Sequence, residues 1–295
     1  MQDENKLNIQ WYPGHMTKTR RMMEDHLKLV DAVCEILDAR IPISSRNPDI
    51  DAICGNKPRM VILNRIDLAD PHMVKVWSDY FKSLGMAVLA TDCKTKKGIA
   101  GFVPAIRSLL AEKLNRYAEK GQAGRPLKIM IVGIPNVGKS TFINQIAGRK
   151  GAKAENRPGV TRGKQWVTVD QGLLLLDTPG ILWPKFEDPE VGMRLAYTGA
   201  VKDDVVDLES LACSLIRMLW VRYPDAVRER YKIEMPREAE GWELLEAAGR
   251  KRGFLISGGE VDLERMARVL LDEYRSSKLG RFTFETPDML KEAAK

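Results

Sequence analysis

The fold of this 295-residue chain is decided by the stretch Gly133-Ile134-Pro135-Asn136-Val137-Gly138-Lys139-Ser140. It matches the pattern Gly-x-x-x-x-Gly-Lys-Ser/Thr and lies between an apolar run, 128–132, that predicts a strand and a segment, 139–148, that predicts a helix. Glycines let the backbone wrap a phosphate with its N–H groups, and the start of the helix adds a favourable dipole. Average residue usage gives a chance match a probability of roughly one per cent in a chain this long. We therefore predict a nucleotide-phosphate site.

Three consecutive residues at the start of the predicted helix, 139–141, are expected to contact the phosphates or Mg²⁺. Lys139 is expected to reach the β- and γ-phosphates, and the Ser140 hydroxyl to bind Mg²⁺. Thr141 completes the predicted phosphate-binding set, together with the backbone of residues 135–138. Mg²⁺ is accordingly the expected cofactor.

A second motif, Asp177-Thr178-Pro179-Gly180, follows the apolar run 173–176. An aspartate at the end of a buried strand is well positioned to bind the water molecules around Mg²⁺. The Gly180 N–H is expected to donate to a γ-phosphate. Between the two motifs, the breaker-rich loop 157–161 ends in Thr161. We interpret Thr161 as a switch residue that closes over Mg²⁺ when a γ-phosphate is present, the alternative being a flexible loop.

A third motif, Asn64-Arg65-Ile66-Asp67, follows the buried-strand run 60–63. It is similar to the Asn-Lys-x-Asp of GTPases, in which the carboxylate accepts hydrogen bonds from the guanine N1 and N2 groups and so selects GTP over ATP. Arg65 replaces the usual lysine, and its planar guanidinium can still lie over a base. The alternative is a structural capping role for this turn.

A short predicted strand, 87–90, leads into Asp92-Cys93-Lys94. This segment occupies the place of the loop that contacts the base from its other side in GTPases. The match in residue type is loose. Asp92 and Cys93 are included among the predicted GTP-binding residues on position alone.

Strands alternating with helices along residues 1–204 indicate an α/β domain with a mostly parallel sheet covered by helices on both faces. From about residue 205 the pattern is helix after helix, so we predict an all-helical domain over 205–295. The predicted helices of the two domains span 15–29, 71–84, 99–119, 139–148, 207–222, 224–231, 240–252 and 262–277. Residues 121–126 are rich in glycine and proline and predict a linker, and 165–169 with 173–176 predict a hairpin.

The order of the motifs is unusual, because the guanine motif precedes the phosphate loop and Asp-x-x-Gly comes last. One circular permutation of a GTPase domain produces this order, with the usual ends joined through 120–126. The order, with Trp11-Tyr12-Pro13-Gly14-His15-Met16 and Leu37-Asp38-Ala39-Arg40-Ile41-Pro42, resembles the circularly permuted GTPases of ribosome assembly over about residues 9–287. The resemblance implies a late step in large-subunit maturation, with the helical domain contacting ribosomal RNA.

Ras-like enzymes place a glutamine after the Asp-x-x-Gly glycine to orient the attacking water. Here Ile181 stands in that position and can neither donate nor accept a hydrogen bond. We predict that His15 supplies this function, the alternative being that 11–16 simply packs against the domain. Asn136 has two interpretations: it helps to bind K⁺ beside the phosphates, as in similar GTPases, or it holds its loop through its own hydrogen bonds.

Composition limits the partners. The formal charge is +7 and is concentrated in the first 204 residues, at Lys18–Arg21, Lys94–Lys97 and Arg149–Lys164, which favours a polyanion such as RNA over a merely solvated surface. Four dispersed cysteines and the lack of a membrane-length apolar run predict a cytoplasmic protein that neither forms disulfides nor enters a membrane. We also expect a monomer.

The sequence therefore predicts a GTPase, slow alone and stimulated by ribosomal particles, that binds a precursor of the large (50S) ribosomal subunit and leaves after hydrolysis. Two alternatives remain at this point. One is a GTP-dependent RNA-binding scaffold in which hydrolysis is incidental. The other is a translation or signalling switch with a protein partner.

Overall fold

A computed structural model describes residues 16–148, 165–170, 172–178 and 188–293. These residues form two compact units. One unit contains the sheet and comprises residues 16–178 together with 282–293, and the other is helical and comprises residues 188–281. Within these ranges, no helix is both long and apolar enough to cross a membrane.

The sheet unit alternates strands with helices in the predicted way. Its strands are β1 Ala32–Asp38, β2 Arg59–Asn64, β3 Ala87–Ala90, β4 Leu127–Gly133, β5 Gln165–Asp170 and β6 Leu173–Asp177. Its helices are α1 Met16–Leu27, α2 Ile50–Cys54, α3 Pro71–Ser83, α4 Phe102–Leu109, α5 Ala111–Glu119 and α6 Lys139–Ala147, with α12 Asp288–Ala293 near the end of the chain. The single helix predicted over 99–119 is divided into α4 and α5 at Leu110, and α2 was not predicted.

The strands lie in the order β3-β2-β1-β4-β6-β5, and all neighbouring pairs are parallel except β5 with β6. Every residue of β1 is buried, which requires cover on both faces of the sheet. Met23 and Ile50 pack over Val33, while Trp77 and Phe81 pack over Leu63. The predicted α/β class and mostly parallel sheet are confirmed.

Parallel pairing determines where the motifs meet. Because β1, β2, β3, β4 and β6 run in one direction, all five end at the same edge of the sheet. The segments that follow these strands are therefore brought together, although the ends of β1 and β6, at residues 38 and 177, are far apart in the chain. This carboxyl edge is where ligands bind in open parallel sheets.

The helical unit is built around one buried helix. Its helices are α7 Pro189–Tyr197, α8 Leu208–Arg222, α9 Pro224–Tyr231, α10 Gly241–Lys251 and α11 Leu263–Arg275. Leu211, Leu215 and Leu219 of α8 are completely buried. A Cβ at Gly241 would lie 2.2 Å from the Cys213 carbonyl oxygen, so only glycine permits α10 to start this close to α8.

The observed units differ from the predicted domains 1–204 and 205–295 in two places. Helix α7, which was not predicted, lies in the helical unit, where Arg275 of α11 donates to the carbonyls of Ala196 and Tyr197 at 2.8 and 3.0 Å. Residues 282–293 belong to the sheet unit, because hydrogen bonds attach them to segments near residues 40 and 70. Such long-range contacts leave no periodic pattern in the sequence.

A buried ion pair stands at the end of β1. The Arg40 side chain is fully buried, and its Nε and Nη2 donate to the Asp38 carboxylate at 2.9 and 2.7 Å. Burial alone would raise the pKa of Asp38, but the Arg40 guanidinium outweighs it and holds that pKa below its usual value. The ionised pair is therefore part of the folded state.

We predict that Asp38→Ala lowers the free energy of unfolding by about 3–5 kcal/mol, since it leaves a buried arginine without its counter-charge. Urea denaturation measures this loss. Asp25→Ala, which removes an exposed partner of Lys28, is the control and should leave the midpoint unchanged. In the wild-type protein, the contribution of Asp38 to the free energy of unfolding should be complete above the ordinary aspartate pKa of about 4. It should decline as the pH falls toward the lower pKa that Asp38 has in the folded state. Equal midpoints for the two variants would contradict this role.

Candidate functional site

The phosphate-loop motif joins β4 to α6, as predicted. β4 ends at Gly133, and α6 begins at Lys139 directly after Gly138. Gly138 has a φ of 98°, and a Cβ at this position would lie 2.4 Å from the Asn64 side-chain nitrogen. Both the backbone conformation and the space therefore require glycine here.

A lysine at the start of α6 and an aspartate at the end of β6 meet beside this loop. Asp177 ends β6, which pairs with β4 so that Asp177 lies opposite Ile131. Lys139 Nζ is in direct contact with Asp177 Oδ1, and the lysine side chain is only 9% exposed. The Ser140 hydroxyl follows on the exposed side of the first turn of α6. Hydroxyl and carboxylate oxygens are the donors that Mg²⁺ prefers, so these residues fit that ion.

Asn64 ties two of the predicted motifs together. Its side-chain nitrogen donates to the Val137 carbonyl of the phosphate loop at 2.8 Å. Its side-chain oxygen accepts from Thr91 Oγ1 and Cys93 Sγ, each at 3.1 Å. Asn64 is almost completely buried, so these bonds are shielded from water. One amide thus connects the segments that follow β2, β3 and β4.

Arg65 makes a second connection to the phosphate loop. It has a left-handed φ of 61°, and its guanidinium donates to the carbonyl oxygen of Asn136. Its Nε lies 3.8 Å from Asp38 Oδ2, so the buried pair at the end of β1 also reaches this side chain. The sequence motif predicts only a stacking role over a base for Arg65, and the structure adds a hydrogen bond to the phosphate loop.

Two carboxylates, those of Asp67 and Asp92, lie near each other in the segments that follow β2 and β3. Partial burial, reinforced by the nearby Asp92 carboxylate, raises the pKa of Asp67 above its usual value. Burial has the same effect on Asp92, but hydrogen bonds from Thr95 and Lys94 outweigh it and lower that pKa. Hydrogen bonds within its own loop therefore offset the effect of burial on the pKa of Asp92, whereas those around Asp67 do not offset it.

Cys93 lies among these groups with its side chain 5% exposed. Burial raises the pKa of its thiol to about 11, so the thiol keeps its proton at neutral pH and can donate to Asn64. The predicted base contact of Cys93 remains a prediction. The observed contact instead gives this residue a part in holding Asn64.

Asn136 adopts a left-handed φ of 57°, a conformation that asparagine tolerates better than most residues. This gives a backbone reason for asparagine at the position and leaves its K⁺ role a prediction. His15, Thr161, Gly180 and the basic segment 149–164 lie outside the described residues, so their predicted roles rest on the sequence.

Sequence reasoning missed Thr91 and Asp38 as parts of this site. Both are buried polar residues at the carboxyl end of a parallel strand, Asp38 as the last residue of β1 and Thr91 directly after β3, and that position is the signal that could have identified them.

Comparison with known proteins agrees with the motifs. Residues 128–216 match a family model described as 50S ribosome-binding GTPase. Ribosome biogenesis GTPase A of Priestia megaterium is 49% identical over 283 residues, which cover 95% of this chain and 98% of that protein. The GDP-bound structure of YlqF is 26% identical with a TM-score of 0.68, covering 91% of this chain and all of the other. GNP-bound YlqF from Thermotoga maritima is 27% identical with a TM-score of 0.63, covering 92% and 99%.

These relatives confirm the predicted enzyme class and the circularly permuted GTPase fold. The chain therefore belongs to the ribosome biogenesis GTPase A family and is a GTP-hydrolysing enzyme.

Proposed function

We propose that this GTPase acts in ribosome biogenesis by binding a precursor of the large (50S) ribosomal subunit, promoting a late assembly step and leaving after GTP hydrolysis. The observation that carries the proposal is the Asn64 bond to Val137, which joins a base-reading loop to a phosphate loop in one site. The names of the family and its relatives supply the ribosomal partner. Under this proposal the protein works in the cytoplasm as a monomer, without a membrane partner.

The proposed assignments within the site combine the sequence motifs with the contacts seen among the described residues. The Asp67 carboxylate accepts from the guanine base, with Ile66, Asp92 and Cys93 closing the opposite side. The backbone of 135–141 and the Lys139 ammonium bind the phosphates, and Gly180 contacts the γ-phosphate.

Magnesium has a defined place in this scheme. Ser140 and Thr161 would hold the ion with their hydroxyl oxygens, and Asp177 would orient its water shell. When bound, Mg²⁺ neutralises charge that builds on the phosphate oxygens. The contact of Lys139 with Asp177 keeps two opposite charges paired within the site. Bound phosphates would draw the Lys139 ammonium away from Asp177, and the Asp177 carboxylate would then accept hydrogen bonds from the waters around Mg²⁺.

Hydrolysis needs a group that orients water, and we assign this role to His15. Imidazole can donate or accept a hydrogen bond at neutral pH, whereas Ile181 can do neither. K⁺ bound near Asn136 is proposed to add a further positive charge beside the phosphates.

A polyanionic partner suits the surface near the site. Lys94, Lys96 and Lys97 are all exposed on the turn that follows β3, directly after the base-reading residues Asp92 and Cys93. Exposed lysines of this kind bind phosphate backbones by charge and not by sequence. They place a candidate RNA contact next to the nucleotide.

Sedimentation with ribosomal particles tests the function. The protein should sediment with 50S precursors in the presence of a non-hydrolysable GTP analogue and remain in the supernatant with GDP, and precursors should raise its GTP turnover at least about tenfold. Purified 30S subunits are the control. Nucleotide-dependent sedimentation without stimulated turnover would favour the RNA-binding scaffold, and no sedimentation in either state would favour a switch with another partner.

We predict that Asp67→Asn shifts nucleotide preference from GTP toward xanthosine triphosphate, whose base presents an acceptor where guanine presents a donor. Two hydrogen bonds to a charged acceptor are lost, so GTP affinity should fall by about 100-fold or more. Competition against a fluorescent nucleotide measures both affinities. Asp79→Asn, an exposed change on α3, is the matched control. Unchanged GTP preference in Asp67→Asn would show that 64–67 does not read the base.

His15→Ala should leave GTP affinity nearly unchanged and lower the particle-stimulated hydrolysis rate by about 10²–10³-fold, because only the orientation of water is lost. Single-turnover hydrolysis on precursor particles measures the rate, and equilibrium binding measures the affinity. His72→Ala, on the first turn of α3, is the control for loss of an imidazole. A normal stimulated rate in His15→Ala would assign 11–16 a purely structural role.

A further inference from the structure

Four residues near the end of the chain return from the helical unit to the sheet unit. We call residues 282–285 the C-terminal strap. The Phe282 N–H donates to the Leu68 carbonyl at 3.2 Å, one residue beyond Asp67. The Phe284 N–H donates to the Arg40 carbonyl at 2.9 Å. The strap therefore bonds by its backbone to the segments that follow β1 and β2.

Thr283 links the same two segments through its hydroxyl. Its Oγ1 donates to the Ala39 carbonyl at 3.1 Å and accepts from the Asp70 N–H at 3.3 Å. Asp70 in turn caps α3, since its carboxylate accepts from the His72 N–H at 2.8 Å. The turn 64–70 is thus held at its far end by a residue more than 200 positions away.

Glu285 anchors the strap. Its side chain is completely buried, and its carboxylate accepts from the N–H groups of Ile43 and Ser44 and from the Ser44 hydroxyl. Its own carbonyl accepts from Trp77 Nε1 at 2.9 Å. A buried carboxylate is tolerated only when hydrogen bonds replace its lost water. The loop 39–45 is therefore shaped around this one side chain.

A continuous set of contacts runs from the strap to the phosphate loop. Phe284 bonds to the backbone of Arg40, and the Arg40 side chain holds Asp38. Asp38 lies 3.8 Å from Arg65, which donates to the phosphate loop at Asn136. On the other side, Phe282 and Thr283 hold residues 68–70 directly. Both ends of the base-reading turn are thereby fixed with respect to the strap.

We propose that the C-terminal strap positions the base-reading turn 64–70, and that Glu285 is a positioning residue for guanine affinity and discrimination. The inference rests on the proposed reading of guanine by Asp67. Glu285 touches loop 39–45 and not the base, so it acts through the contacts of Arg40, Asp38 and Arg65. Displacing the strap moves the Asp67 carboxylate relative to the phosphate loop. A misplaced carboxylate loses more binding affinity for guanine, which offers it two hydrogen-bond donors, than for a base that offers only one.

Glu285→Gln tests the proposal, because it keeps the size of the side chain and removes its charge. Dissociation constants are measured for GDP and for inosine diphosphate, which lacks the 2-amino donor. GDP affinity should fall about tenfold and the ratio of GDP to inosine diphosphate affinity at least about threefold. Leu290→Ala is the matched control, since it removes apolar packing from the same end of the chain without breaking a strap hydrogen bond. Its melting temperature should fall while the ratio stays at the wild-type value.

Thr283→Val is an independent variant of similar side-chain volume that loses both hydrogen bonds of the hydroxyl. It tests the proposal even if Glu285→Gln fails to fold. It should lower the same ratio. A wild-type ratio in a folded Glu285→Gln or Thr283→Val protein, with only the melting temperature reduced, would overturn the proposal. The Asp67→Asn variant distinguishes the strap proposal from the base-reading assignment of Asp67. If Asp67→Asn alters base preference and the strap variants do not, only the strap proposal fails. If Asp67→Asn has no effect, the base-reading assignment itself is wrong.

Discussion

The site depends on one buried hydrogen bond, from the Asn64 side chain to the Val137 carbonyl. It joins a segment that follows β2 to a loop that follows β4, and the same amide also accepts from Thr91 and Cys93. Leaving a buried partner of such a bond unsatisfied costs about 1–3 kcal/mol. Gly138 has to be a glycine because the amide approaches so closely. Much of the local geometry is therefore a consequence of bringing Asn64 against the phosphate loop.

Charge is arranged in layers around that bond. Lys139 and Asp177 are paired at the open side, while Arg40 and Asp38 are paired beneath it, out of contact with water. The first pair is partly accessible to water through Asp177, whose side chain is 24% exposed. The second pair cannot be separated without exposing a charge to an apolar interior. The site thus contains one ion pair that is partly accessible to water, Lys139 with Asp177, and one that is buried, Arg40 with Asp38.

Within the described residues, the chain leaves the sheet unit after residue 178, is in the helical unit by residue 188, and returns to the sheet unit at residue 282. Circular permutation is the reason, since it moves the ends of the GTPase domain away from their usual place. The helical unit is therefore followed directly along the backbone by the strap, which bonds to the segments that follow β1 and β2.

The sequence by itself determined the fold class, the phosphate loop and the positions of the guanine and Asp-x-x-Gly motifs, because these depend on local spacing and on apolar runs that read directly as buried strands. Only the tertiary structure showed that Arg65 bonds to the phosphate loop, that Cys93 holds Asn64, and that residues 282–293 belong to the sheet unit. Glu285 and Ser44 are 241 positions apart, and nothing in the neighbourhood of either residue indicates the other. Local patterns specify elements and their chemistry, whereas the partners of a buried polar group are decided by packing that brings distant segments together.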